Sequence, residues 1–260
     1  MQFLSRLYPL LEKEGLDVLS QACVAQSGLG GVGGVAFQAL VRMGIRRFKL
    51  AENGLFDPPD MNRQPGASAS TMGRPKLDVY VDWARSINPA VELELYPQGI
   101  SVDNIEEFLQ GTSAYIGVID VEKGQDVKAK SSEVARRMGI PLFTAGVIGF
   151  GAFMVNHRPD GMTPDVFWGS FTKEPGKLFP AKVAEKFNPT IIERINLGAM
   201  QGTQVSSSIG ANMAGTLLAN EVITYFLQPL GWLNRSPVFA PQYLLLDLPS
   251  LVLKVESVEG

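Results

Sequence analysis

Three glycines set the chemistry open to this chain. Gly28, Gly30 and Gly33 follow a short predicted strand, Ala22 to Ser27, with the spacing G-x-G-x-x-G. That spacing suits a strand–turn–helix in which phosphate oxygens come close to bare backbone N–H groups. The turn visits angles that a Cβ forbids, and a side chain there would hold the phosphate away. The helix that follows, placed at about Gly34 to Met43, aims its positive end at the same anion. Glu52 ends the next predicted strand, where a ribose hydroxyl would find an acceptor. The implied chemistry is nucleotide binding, and these residues suit an adenine nucleotide or a nicotinamide dinucleotide alike.

Residue counts remove other chemistries. The single cysteine, Cys23, allows no internal disulfide and no Cys-rich zinc site. It falls in the first predicted strand and reads as a small buried residue. The single histidine, His157, would have to serve any Ser-His-Asp site, and no strand–elbow–helix presents a serine to it. It reads as a loop or strand-end residue. Net charge is −3, so no broad basic face points to nucleic acid. No apolar run reaches membrane-spanning length and no signal-peptide pattern opens the chain. These features predict a cytoplasmic protein with no membrane contact.

The elements that must position the glycines alternate along the chain. Residues Met1 to Ser20 read as an amphipathic arm with Leu4, Leu7, Leu10 and Leu11 on one face, interrupted at Pro9 and broken at Gly15. Gln26 and Ser27 are polar where a central strand is usually apolar. Gly44 caps the helix after the glycine turn. Phe48 to Ala51 is the second strand, followed by a long polar loop, Asn53 to Thr71. Arg74-Pro75-Lys76 opens a helix that stops at Asn88-Pro89. Further strands are expected at Val91 to Leu95, Tyr115 to Ile119 and Pro141 to Ala145, with helices at about Val102 to Leu109 and Asp126 to Met138.

The alternation predicts an α/β, Rossmann-like, doubly wound and mostly parallel sheet. Beyond Gly146 it changes to antiparallel strands. One follows Gly149, and Tyr243 to Leu248 with Leu251 to Val255 forms a hairpin. A long small-residue helix runs from Ser207 to Phe226, and the segment 158–188 suits an insertion or lid. The expectation is a single domain over 1–260.

With these residues placed, the chain resembles the ThiF/MoeB family of adenylylating enzymes, related to ubiquitin-activating enzymes. Leu4-Ser5-Arg6 is similar to the family's Y-x-R segment, and Gly28 to Gly33, with Gly31, to its G-x-G-G-x-G. Leu50-Ala51-Glu52 followed by Asn62-Arg63-Gln64 is similar to L-V-D…N-R-Q. Gly73-Arg74-Pro75-Lys76 is similar to G-x-x-K, and Asn88-Pro89 to the helix-ending N-P. Ile140-Pro141-Leu142, Ser208-Ile209-Gly210 and Tyr243 to Asp247 match later parts. The order and spacing of the set carry the resemblance.

The resemblance implies that a substrate carboxylate attacks the α-phosphate of ATP, giving an acyl adenylate and pyrophosphate. It implies ATP along Gly28, Gly30, Gly31 and Gly33, its ribose on Glu52, with Asn62 in the same site and Arg63 and Lys76 neutralising the triphosphate. Arg6 would come from a neighbouring subunit, hence a homodimer. The acyl substrate would be a ubiquitin-like protein's C-terminus or a small carboxylate.

Three departures stand out. The family's D-x-T-D-N is here Asp120-Val121-Glu122-Lys123-Gly124, so Asp120 matches the first Asp while Lys123 falls on the second. A lysine cannot replace a magnesium carboxylate, so either Asp120, Glu122 or Asp126 takes over the role, with Asp120 the magnesium and catalytic candidate, or the protein binds nucleotide without activating a carboxylate. The paired C-x-x-C zinc motifs are absent, and no cysteine follows the fifth strand to form a thioester. Two other readings stay open: a non-catalytic nucleotide-binding scaffold, motivated by Lys123, and an NAD-dependent oxidoreductase, motivated by the turn and Glu52.

Overall fold

Short β-branched and aromatic runs separated by glycine-ended helices pair here as one eight-stranded sheet, in the order β3-β2-β1-β4-β5-β6-β7-β8. The computed structural model describes residues 2–119, 125–172 and 177–259. The strands are β1 (Cys23–Ser27), β2 (Arg47–Ala51), β3 (Glu92–Tyr96), β4 (Ala114–Gly117), β5 (Leu142–Ile148), β6 (Gly151–His157), β7 (Gln242–Asp247) and β8 (Val252–Ser257). β1 to β5 run parallel, and β6, β7 and β8 are added antiparallel. The doubly wound expectation therefore holds. The strand order turns back between β1 and β4, and in sheets of this kind a ligand crevice lies there, at the strands' carboxyl ends.

Helices cover both faces. α1 (Tyr8–Gln21), α2 (Gly31–Arg42), α3 (Lys76–Ile87) and α9 (Ser208–Leu227) bury one face. Leu19, Phe37, Leu40, Phe48, Tyr80, Leu218 and Val222 form its centre. α4 (Ile105–Leu109) and α5 (Gln125–Arg137) cover the other, through Phe108, Val134 and Tyr115. The described residues of 158–188, with the helix that follows them, build a further layer on that second face. There α6 (Pro164–Gly169), α7 (Ala181–Ala184) and α8 (Pro189–Met200) pack Phe167, Phe171, Val183 and Ile195 on Phe153, Val155, Tyr243 and Leu245 of β6 and β7. Its phenylalanines are core residues of this layer.

Two local expectations need correction. The arm does not break at Gly15. The non-helical residue is Glu12 (φ 50°, ψ −168°), and Gly15 continues the helix because its missing Cβ admits the ring of Trp232, whose nearest atom would lie 2.7 Å from it. Cys23 is partly exposed and not fully buried, since it opens the strand; burial pushes its thiol pKa up. The other shifts are small. α2 starts at Gly31, three residues before the expected place, and the fourth helix at Ile105.

The polar end of β1 now has a physical account. Gln26 is fully buried, and its Nε2 donates to the carbonyls of Gly28 (3.1 Å) and Gly33 (2.7 Å). Ser27 Oγ lies 2.8 Å from the Tyr115 hydroxyl on β4. These residues clasp the glycine turn and the crevice wall. These bonds satisfy the buried Nε2 and the Ser27 hydroxyl, while Gln26 Oε1 is buried with no hydrogen-bond partner among the described residues.

Candidate functional site

The site is built at the carboxyl ends of β1 and β2. Gly28 takes φ +95°, and a Cβ there would meet the Val118 carbonyl at 2.6 Å. A Cβ on Gly33 would lie 2.0 Å from the Gly28 carbonyl oxygen, so only glycine closes the turn. Gly30 is the N-cap of α2 and supplies no side-chain cap. The helix opens with a hydrogen bond from Gly34 N–H to Gly30 O, 2.8 Å. The amides ahead of it in the first turn are the orphan donors of a helix N-terminus. A Cβ built on Gly30 would touch nothing nearer than Gln64 Nε2 at 3.8 Å, so the turn faces an open cradle. That cradle, open beyond Gly30, flanked by Ala211 and Arg63 at Gly31 and rimmed by backbone donors, fits polyphosphate.

Glu52 caps the same turn. One carboxylate oxygen accepts from Leu29 N–H and the other from Gly54 N–H, both at 2.8 Å. A carboxylate has about four acceptor sites, so capacity remains for a sugar hydroxyl.

The long loop folds back as a short 3-10 helix, Pro58–Asn62, with a capping box between Asp57 and Asp60. It carries Arg63 beside the turn: a Cβ on Gly31 would lie 3.4 Å from Arg63 Cγ. Arg63 Nη1 donates to Pro59 O (2.8 Å) and Asn62 Oδ1 (3.0 Å). Asn62 Nδ2 donates to Ser206 O (3.1 Å), fastening the loop to the segment before α9. Lys76, at the start of α3, lies with its stem 3.4 Å from a Cβ built on Gly54. Its ammonium is 3.0 Å from Asp60 Oδ2 and 5.6 Å from the Phe56 ring centre.

Gly28, Gly30, Gly31, Gly33, Glu52, Asn62, Arg63 and Lys76 are thus brought together. Asp60 is a site residue that sequence reasoning does not single out. It is buried, and it gathers Lys76, Arg63 Nη2 (3.5 Å) and the Gln64 amide. The D-P-P-D pattern at 57–60, an N-cap aspartate, prolines and an acid at the third helical position, was the available signal.

Arg6 is not part of this cluster. It is exposed on the arm two residues after Leu4, which packs 3.3 Å from a Cβ built on Gly44, past the far end of α2. A helix of this length separates that end from the turn by about 18 Å. Asp120 and Lys123 lie outside the described residues. Among the described residues, no three His, Cys, Asp or Glu side chains group as metal ligands.

Two buried phenols and one imidazole could in principle move protons. Burial pushes the pKa of Tyr80 and of Tyr115 up, so both stay protonated. Tyr80 packs on Gly34 of α2 and accepts from Gly66 N–H. His157 pairs with Leu142 at the amino end of β5, so it sits across the sheet from the turn, at a strand end as expected.

A model of the ThiF family matches residues 4–259. The chain belongs to the ThiF family. Among curated relatives it is 33% identical over 133 residues to the tRNA threonylcarbamoyladenosine dehydratase of Bacillus subtilis, covering 51% of this chain and 52% of that protein. It is 27% identical over 238 residues to the sulfur carrier protein adenylyltransferase of Thermus thermophilus, covering 89% of this chain and 86% of that protein. Of solved structures, E. coli MccB superposes with TM-score 0.73 at 16% identity, over 98% of this chain and 69% of that one. The chain thus spans about half the length of the Bacillus dehydratase and most of the Thermus enzyme. No helix among the described residues is long and apolar enough to cross a membrane.

Proposed function

We propose that this ThiF-family chain is an ATP-dependent adenylyltransferase that activates a carboxylate as an acyl adenylate. The observation that carries the reading is the convergence of the bare turn Gly28–Gly33 with Glu52, Arg63 and Lys76 in one crevice. In that reaction a carboxylate oxygen bonds to the α-phosphorus while the bond to pyrophosphate breaks, and charge builds on the leaving oxygens. Fixed donors aimed at those oxygens lower the barrier. In this reading the α2 amides hold the phosphates, Glu52 takes the ribose hydroxyl, and Arg63 and Lys76 take the charge that develops on pyrophosphate. Magnesium, when bound, would draw charge from the same oxygens, and Asp120 is the carboxylate assigned to it. Arg6 is assigned to the neighbouring subunit's site, which makes the working unit a homodimer.

Support comes from a Thermus relative named as a sulfur carrier protein adenylyltransferase, from a Haloferax volcanii relative named as a SAMP-activating enzyme E1, and from an MccB structure that holds ATP. The acyl substrate class follows them: a small carrier protein's C-terminus or a small carboxylate. A cytoplasmic place goes with this reading. The NAD reading is weaker, because Tyr80 and Tyr115 are buried and His157 lies across the sheet.

The test is exchange of labelled pyrophosphate into ATP with magnesium and candidate acids, beside calorimetric titration with ATP. Exchange that falls at least tenfold in Arg63→Ala and Lys76→Ala is expected. Tight ATP binding with no exchange on any carrier or small acid would favour the scaffold reading that Lys123 motivates.

A further inference from the structure

The two cations assigned to the triphosphate are already occupied by one buried anion. Lys76 Nζ stands 3.0 Å from Asp60 Oδ2, and Arg63 Nη2 stands 3.5 Å from Asp60 Oδ1. The Asp60 side chain is 7% exposed, that of Lys76 14% and that of Arg63 21%, so the cluster is largely dry. Asp60 also accepts from the Gln64 amide and, at 3.3 Å, from its own helix's Asp57 N–H. Phe56 covers another side of the Lys76 ammonium. A phosphate reaching these cations therefore meets a fixed carboxylate already bonded to both. In a poorly solvated pocket, like charges this close repel strongly.

We propose that Asp60 is a competing counter-ion, which keeps Lys76 and Arg63 assembled between turnovers and which polyphosphate must displace from them. The idea rests on the reading of the crevice as a polyphosphate site. Its physical sense is reversibility. Two cations left facing each other in a half-buried crevice would repel, and they would hold pyrophosphate tightly. A resident carboxylate removes the first problem and weakens the second. Asp60 thereby sets the affinity for ATP and hastens the departure of pyrophosphate, while touching neither.

Calorimetry tests this without any acyl substrate. Wild type, Asp60→Asn, Lys76→Gln and the double variant are titrated with magnesium ATP, with inorganic pyrophosphate and with adenosine. Asp60→Asn should bind ATP and pyrophosphate about tenfold more tightly than wild type and adenosine equally, with a lowered melting point because the buried anion between the two cations is lost. In the Lys76→Gln background the gain should shrink to about twofold or less. Equal or weaker ATP binding by a folded Asp60→Asn variant would overturn the proposal, since Asp60 would then only position its neighbours. Should that variant not fold, crystals of the wild-type protein with ATP decide. Lys76 Nζ beyond about 4 Å from Asp60 supports displacement, and an intact pair beneath bound ATP refutes it. Wild-type protein that binds neither ATP nor pyrophosphate removes the nucleotide reading and this proposal together, an outcome distinct from ATP bound over intact pairs.

Discussion

Glu52 at the end of β2 accepts a 2.8 Å hydrogen bond from the backbone N–H of Leu29, in the middle of the glycine turn. The residue assigned to the ribose is therefore also a brace, and its second oxygen holds Gly54 in the same way. Glu52→Gln turns an amide N–H toward a backbone N–H. An unsatisfied pair of this kind costs about 1–3 kcal/mol. The expected result is a lower melting point and ATP affinity weakened about tenfold, read by denaturant unfolding and calorimetry. Wild-type affinity in a folded Glu52→Gln protein would remove Glu52 from the nucleotide site.

Gly33→Ala separates close approach from mere flexibility. Its Cβ would stand 2.0 Å from the Gly28 carbonyl oxygen, so backbone must move. The cost is about 1–3 kcal/mol or more, and ATP binding should be lost. Gly139→Ala is the control. Gly139 has a left-handed backbone (φ +72°), which helical Gly33 does not, but nothing lies within 4 Å of an added Cβ. It should cost about 1–2 kcal/mol and leave nucleotide binding intact. Equal effects of the two on ATP affinity would show that the turn does not cradle phosphate.

Arg6 allows a complementation test. Arg6→Ala and Lys76→Ala homodimers should each be impaired. If Arg6 serves the neighbouring subunit, an equal mixture of the two forms heterodimers with one intact site, restoring roughly a quarter of wild-type pyrophosphate exchange. If Arg6 serves its own subunit, mixing restores nothing.

His157 carries a pH prediction. Burial lowers its pKa below the ordinary 6.5, opposed by the hydrogen bond to Met162 O. The carbonyl can only accept, so Nδ1 is the protonated nitrogen of the neutral ring, donating at 2.8 Å. Between the folded and unfolded pKa values the unfolded chain binds more protons. Stability is therefore full above about pH 6.5 and falls as pH drops below it, until the native ring itself protonates. His157→Gln should flatten this part of the melting-temperature profile between pH 7.5 and 5.5. A profile with the wild-type slope would show that another group carries it.

The fold was legible in the sequence because its signals were local and repeated. Apolar runs such as Tyr115 to Ile119, helix stops at Gly44 and Asn88-Pro89, and the glycine spacing each name one element and its neighbour. The break in the arm was not legible, because Gly15 is explained by Trp232, more than two hundred residues away in sequence. Gln26 and Ser27 looked out of place for the same reason, since their partners are turn carbonyls and a hydroxyl on β4. Arg63 and Lys76 could be found by spacing. For Asp60 the D-P-P-D spacing signals only a helix cap, because an acid in a polar loop looks solvated until two cations close over it. Asp120, the magnesium candidate, lies outside the described residues.

The clasp made by Gln26 has a kinetic meaning. Both hydrogens of its amide are engaged with carbonyls of the turn, so in the proposed function an anion would meet a mould that has set before it arrives. Little ordering entropy is then lost on capture, and the association rate is governed by diffusion and charge instead of by slow rearrangement of the loop.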